Sequence, residues 1–291
     1  MEVESERLEK ALRKLQKAIK RLDQDPLPEE VHKLRTEARR VETIASALTP
    51  GDETTALLIK SIKPLRKAAG SVRDIDVLTA KVLNLPKSNQ PKTGNDTQNQ
   101  DSDFQNSLTR FVEYLGVARQ KEAKKLFRIV ERKRESVCRD IKRYRQQLES
   151  PSAIEEPELS PVALESQARA FTVGLVAELG RTATLTARNI HIFRLKVRAL
   201  RSILELVPSS DPDMLLALTQ AKDEIGEWHD WHQLASMARQ VLKEAPDRAL
   251  LTEIDRIAGW KLSQAVKAGE ALRRAYLQPT GKKQKVRKKA A

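Results

Sequence analysis

Val31–Leu48 reads VHKLRTEARRVETIASAL. Wound as an α-helix at about 100° per residue, it places His32, Arg35 and Arg39 on one strip roughly 60° wide. Leu34, Ala38, Val41, Ala45 and Leu48 fall on the opposite strip. One face is apolar and the other is a row of His and Arg. A solvated helix face normally mixes signs, because neighbouring like charges repel. A one-signed row led by a histidine points to an anion as its partner.

The pattern returns at Ile190–Val207, IHIFRLKVRALRSILELV. His191, Arg194, Arg198 and Arg201 share one strip; Phe193, Val197, Leu200, Leu204 and Val207 share the other. His191, Arg194 and Arg198 match His32, Arg35 and Arg39 at a constant offset of 159 residues. A second pair follows in the same order: Gly70–Leu78, GSVRDIDVL, matches Gly226–Leu234, GEWHDWHQL, at an offset of 156. The chain therefore reads as a duplication.

Composition agrees with a helical protein. Of 291 residues, 40% are hydrophobic, 32% charged and only 4% aromatic, with little of the alternation that marks strands. Four helices per half predict an all-α fold of two four-helix bundles related by a pseudo-twofold axis. The first half is expected at 1–149, with helices at about 5–22, 29–48, 53–85 and 104–148. Pro64 is a potential kink or late start in the third helix, and Gly116 a potential break in the fourth. Residues 86–103, without an aliphatic side chain, read as a disordered loop. A linker at 150–161 leads to the second half at 162–278, with helices at about 162–179, 190–207, 212–242 and 247–277. Residues 279–291 form a basic, disordered tail.

The net charge of +14 suits a polyanion or an acidic surface. The lone cysteine, Cys138, excludes a disulfide framework and a thiolate metal site, and fits a reducing compartment. No signal peptide is read at the acidic N-terminus, and no apolar run is long enough to span a bilayer. A soluble, cytoplasmic protein is expected.

All four histidines, His32, His191, His229 and His232, lie in the repeated segments. Phosphate contact, a structural role and metal ligation compete as readings. Metal ligation is the weakest: no HExxH or paired-carboxylate spacing accompanies them, and the nearby arginines would repel a cation. On the third helix Lys60, Lys63, Lys67 and Asp74 share a strip that passes Gly70, which is read as a helix crossing point. Asp74 and Asp230 are expected to hold cationic side chains in place. The copies are unequal, since Thr219 and Asp223 stand where the first half has Lys63 and Lys67, and Lys222 replaces Arg66. Arg119 and Arg128 on the fourth helix are added as candidate contacts. Trp228, Trp231 and Trp260 could stack bases but are read as bundle core, Trp231 most clearly. No nucleophile, base or Gly-rich phosphate loop emerges, so no catalysis and no cofactor are expected.

VHKLRTEARR and IHIFRLKVRALR, followed by GSVRDIDVL and GEWHDWHQL, resemble the conserved histidine α-helical domain (CHAD) family, over about 5–277. The resemblance implies two helical bundles and a basic channel, lined by both halves, that binds inorganic polyphosphate. The contacts it implies here are His32, Arg35, Arg39, Arg40, Arg73, His191, Arg194, Arg198 and Arg201. Lys63, Lys67 and Lys222 extend the strips. The chain departs from a symmetric pattern at two points: His229 stands where the first copy has Arg73, and Ala199 where it has Arg40. The family often accompanies a triphosphatase domain, absent here, so binding without hydrolysis is expected, in the cytoplasm alongside polyphosphate granules. RNA or DNA bound nonspecifically by the same face is the alternative partner; a histidine-based metal enzyme is a third.

Overall fold

The computed structural model describes residues 2–48, 51–85, 96–149, 172–204 and 211–277. The fold is all-α, with no strand among the described residues. The chain divides into two compact units, Met1–Glu156 and Pro157–Ala291.

The first unit contains α1 (Glu2–Arg21), α2 (Pro28–Leu48), α3 (Glu53–Leu83) and α4 (Asp96–Glu149). Each helix packs on the next, and α4 returns to α1. The start of α2 follows from local chemistry. Pro28 occupies the first helical position, where its missing N–H costs nothing. Glu30 reaches back to accept the Leu27 N–H at 2.9 Å, half of a capping box. The apolar strip of α2 is then fully buried, from Val31 through Leu34, Ala38 and Val41 to Ala45. It meets Leu8, Leu12, Leu15 and Ile19 of α1, Leu58, Ile62 and Leu65 of α3, and Leu126, Val130 and Ile141 of α4 in one core.

Three expectations for this unit are corrected. α3 runs unbroken through Pro64, its core side chains Ile62 and Leu65 buried on either side of the proline. Gly116 does not break α4, which is one helix of 54 residues. The expected disordered loop is shorter than read, because α4 already begins at Asp96. Extending an existing helix adds a hydrogen bond per residue without a new nucleus, so the polar turns before Phe104 need no apolar face. The rest of that loop, 86–95, lies outside the described residues, as do the linker, 162–171, 205–210 and the basic tail.

The second unit contains helical residues 172–180 (α5), α6 (Ile190–Leu204), α7 (Pro212–Val241) and α8 (Arg248–Leu272). A 3₁₀ turn, Ala245–Asp247, precedes α8, and a π-helical turn, Arg273–Leu277, follows it. The buried strip of α6, Ile190, Phe193, Val197 and Leu200, packs with Leu218, Ala221, Ile225 and Trp228 of α7 and Ala265 and Leu272 of α8. Buried Arg273 closes this unit. It holds Glu270 through two bonds of 2.8 and 3.0 Å and donates to the Thr182 carbonyl at 2.5 Å. Trp228 and Trp231 are buried, as read, whereas Trp260 is 54% exposed with Lys261 5.0 Å above its ring.

Leu34→Ala removes a fully buried side chain and should cost about 2–5 kcal/mol. Leu27→Ala, at a position 66% exposed, should stay within about 0.5 kcal/mol. Urea unfolding of both variants checks whether the α2 strip anchors the first unit.

Candidate functional site

Burial of one face of α2 turns its other face outward. His32 is exposed, and Arg35 and Arg39 are half-buried along the same side. Arg35 lies across α3 where that helix has a glycine: its Nε is 3.6 Å from the point a Cβ on Gly70 would occupy. Lys67 and Arg73 sit one turn to either side of Gly70, and Lys63 two turns before it. Lys63 and Lys67 are exposed and Arg73 half-buried. Asp74, expected to orient a cation, is exposed.

The carboxylates nearby are already engaged. Glu37, 6% exposed, accepts two bonds from Arg40 Nη1 at 3.1 and 3.2 Å. Glu42 pairs with Arg66 at 2.6 Å, tying α2 to α3. Arg35, Lys63, Lys67 and Arg73 thus bring positive charge from both helices to the α2–α3 contact around Gly70.

α6 and α7 make a related arrangement in the second unit. Arg194 lies over Gly226 more tightly than Arg35 over Gly70, with Nη2 2.9 Å from the place of a Cβ. His191 and His229 face each other with ring centroids 4.8 Å apart. His229, one turn after Gly226, is thus brought to the strip by the fold. His232 stacks on Trp228 at 5.3 Å. Arg198 and Arg201 are half-buried, and Arg201 donates to Thr219 Oγ1 at 2.9 Å. Lys222 is held by Asp223 at 2.8 Å, and Asp230 is half-buried. Among the described residues, two buried atoms of this strip, His191 Nδ1 and Arg194 Nε, find no hydrogen-bond partner. Such orphans are rare and costly in a finished interior, and here they sit side by side in a cationic strip.

Charge crowding has a titration consequence. His229 is pushed down to about 4 from an ordinary 6.5, by burial first and then by His191, Arg194 and His232. It is neutral near pH 7, so this strip is less positive than its residue list suggests.

Of the two candidates from the fourth helix, one is spent inside the fold. Arg119 is committed to the fold: it donates to Asp76 Oδ1 at 2.6 Å, to the Pro26 carbonyl at 2.6 Å and to Asp25 at 3.3 Å. Since Asp76 is only 5% exposed, Arg119 neutralises a buried carboxylate and locks α4 to α3 and the α1–α2 turn. Arg128 is exposed on α4. Sequence reading missed the Trp228–His232 stack, although an i, i+4 spacing of aromatic and histidine was there to suggest it. It also missed a separate basic cleft of about 390 Å³ on α1, lined by Arg13, Gln16, Lys17, Lys20 and Arg21. Among the described residues no three of His, Cys, Asp and Glu converge to hold a metal ion. No helix of the described residues is long and apolar enough to cross a membrane.

A family model described as the CHAD domain matches residues 6–239. The crystal structure of the CHAD domain from the plant Ricinus communis is similar at a TM-score of 0.61 and 20% identity, over 92% of this chain and 89% of that one. No curated protein matches the chain at a significant level.

The two glycines should respond differently to alanine. Alanine gains up to about 1 kcal/mol of helix propensity in either position. At Gly70 the new methyl makes ordinary contact, so stability should rise with affinity for anions little changed. At Gly226 it displaces the Arg194 guanidinium, so anion affinity should fall severalfold while folding is kept; calorimetry and thermal melts compare the two. The low pKa of His229 also predicts a pH effect on stability. The unfolded chain takes up that proton near pH 6.5 and the folded chain only near 4. Stability is therefore full above 6.5 and declines as pH falls towards 4. Urea midpoints across that window should drop, and His229→Gln should flatten the drop.

Proposed function

The chain belongs to the CHAD domain family, and on that premise we propose that it binds inorganic polyphosphate without hydrolysing it, through the cationic strips of α2–α3 and α6–α7. The carrying observation is that an arginine crosses a glycine of the neighbouring helix in each unit, Arg35 over Gly70 and Arg194 over Gly226. At Gly226 an added Cβ would press into the Arg194 guanidinium, whereas at Gly70 it would meet Arg35 in ordinary contact. Cations from two helices then converge on one line, which suits a flexible chain carrying roughly one charge per phosphate and no bases. The residues assigned to contact are His32, Arg35, Arg39, Lys63, Lys67 and Arg73 in the first unit. In the second they are His191, Arg194, Arg198, Arg201 and His229. Arg40, Arg119 and Lys222 are already paired with carboxylates and are left out of the assignment. The expected workplace is the cytoplasm, beside polyphosphate granules.

Charge reversal tests this reading. Each charged contact is worth about 1.5–3 kcal/mol net, so Arg35→Glu with Arg39→Glu should weaken long-chain polyphosphate binding by about a hundredfold or more. Lys17→Glu with Lys20→Glu changes the net charge equally at the α1 cleft. At physiological salt, with a screening length of about 8 Å, it should cost far less. Equal losses would mean diffuse attraction and no strip. Wild-type affinity should fall steeply with added salt through counterion release. An excess of RNA that displaces labelled polyphosphate as well as unlabelled polyphosphate does would favour general nucleic-acid binding instead.

A further inference from the structure

The two strips differ in one kind of charge. Arg73 of the first unit carries a permanent charge one turn after Gly70. The residue one turn after Gly226 is His229, whose ring lies 4.8 Å from that of His191, with the Arg194 guanidinium against the same stretch of helix. Two imidazolium rings at that spacing beside a guanidinium repel strongly unless an anion lies among them. Without one, His229 stays neutral near pH 7; with one, protonation becomes favourable.

We propose that the α6–α7 strip is proton-coupled: it takes up protons on His229 and His191 as a phosphate chain binds, while the α2–α3 strip relies mainly on fixed charge. This inference rests on the phosphate-binding reading above. It makes binding by the second unit stronger in acid than at neutral pH, while the first unit keeps its charge throughout.

Geometry supports the assignment on every side of His229. From α6 come His191 and Arg194, both with a buried nitrogen lacking a partner. Those nitrogens belong to groups that could turn their donors to an incoming anion. From α7 itself, His232 is stacked on Trp228, Asp230 is already engaged, and Lys222 is held by Asp223. From α8, which packs on α7, Lys261 is 3.5 Å from Glu227 and so largely cancelled. The immediate surroundings of the histidine pair are therefore positive. That agrees with the depressed titration of His229, which burial, His191, Arg194 and His232 together produce. An anion reverses the sign of that environment and raises the proton affinity of both rings. The balance is simple: each neutral imidazole gains one proton from solvent, and the bound chain supplies the compensating negative charge.

The test uses the full chain and long-chain polyphosphate, whose internal phosphates keep one charge each throughout the range studied. Calorimetry near pH 6.5 in two buffers of different ionisation enthalpy reads the protons taken up on binding. Wild-type protein should show net uptake, with affinity rising about tenfold or more from pH 7.5 to 5.5, as expected for one linked proton or a fraction of one. His229→Arg should bind more tightly at pH 7.5 and lose most of the uptake. Arg73→His should gain uptake. If the bulk of His229→Arg impairs folding, His229→Gln and His191→Gln provide the same reading, each losing pH dependence while circular dichroism confirms the helices. Full proton uptake retained in both glutamine variants overturns this inference and leaves polyphosphate binding standing. No binding by the wild-type chain at any pH overturns the underlying function, and the inference with it.

Discussion

A row of like charges on one helix must be held together by something stronger than its own repulsion. On α2 that is the burial of Val31, Leu34, Ala38, Val41 and Ala45 on the far side. Each large side chain contributes about 1.5–3 kcal/mol by leaving water, whereas each like-charged neighbour pair on an exposed face costs only about 0.2–0.5 kcal/mol. The apolar face wins by a wide margin. The cationic face is therefore positioned by the core, in a geometry it would not choose for itself.

The adjoining helix completes that geometry. A side chain at position 226 would lift the crossing Arg194 away from the backbone of α7, whereas at position 70 a methyl would only touch Arg35. Glycine lets the guanidinium lie down against the helix and aligns it with the cations one turn away. Nearby acids are spent on other partners: Glu37 on Arg40, Glu42 on Arg66, Asp76 on Arg119. Pairing these buried carboxylates protects the fold from uncompensated charge and keeps them from neutralising the strip. The fold and its cationic strips thus come from one division of labour among the charged residues.

The units solve the same problem with different reserves. The first exposes lysines and fixed arginines, so its positive potential is always present and the helices must tolerate it. The second packs histidines close to arginine, and lowers its own charge by giving up a proton. A bundle whose half-buried histidine is neutral escapes part of the repulsion that a cationic surface imposes on folding.

How far the sequence alone reached follows from the range of the interactions involved. Helical periodicity is local, and so the apolar and cationic faces of α2 and α6 were legible from Val31–Leu48 and Ile190–Val207. The all-α class followed from the same periods. Helix limits were less legible: Pro64 and Gly116 are breakers by propensity, yet packing on either side carried α3 and α4 through them. The site divided along the same line. That Arg35, Lys67 and Arg73 are cationic was plain in the residues, but so was Arg119, and nothing local distinguished it from them. Its role depends on Asp76, 43 positions away, and on a carbonyl 93 positions away. The crossing of Arg194 over Gly226 and the facing of His191 and His229 likewise join residues more than thirty positions apart. Which residues carry charge is written in the chain; which of those charges are cancelled, and which are left for a ligand, is decided only when distant helices come into contact.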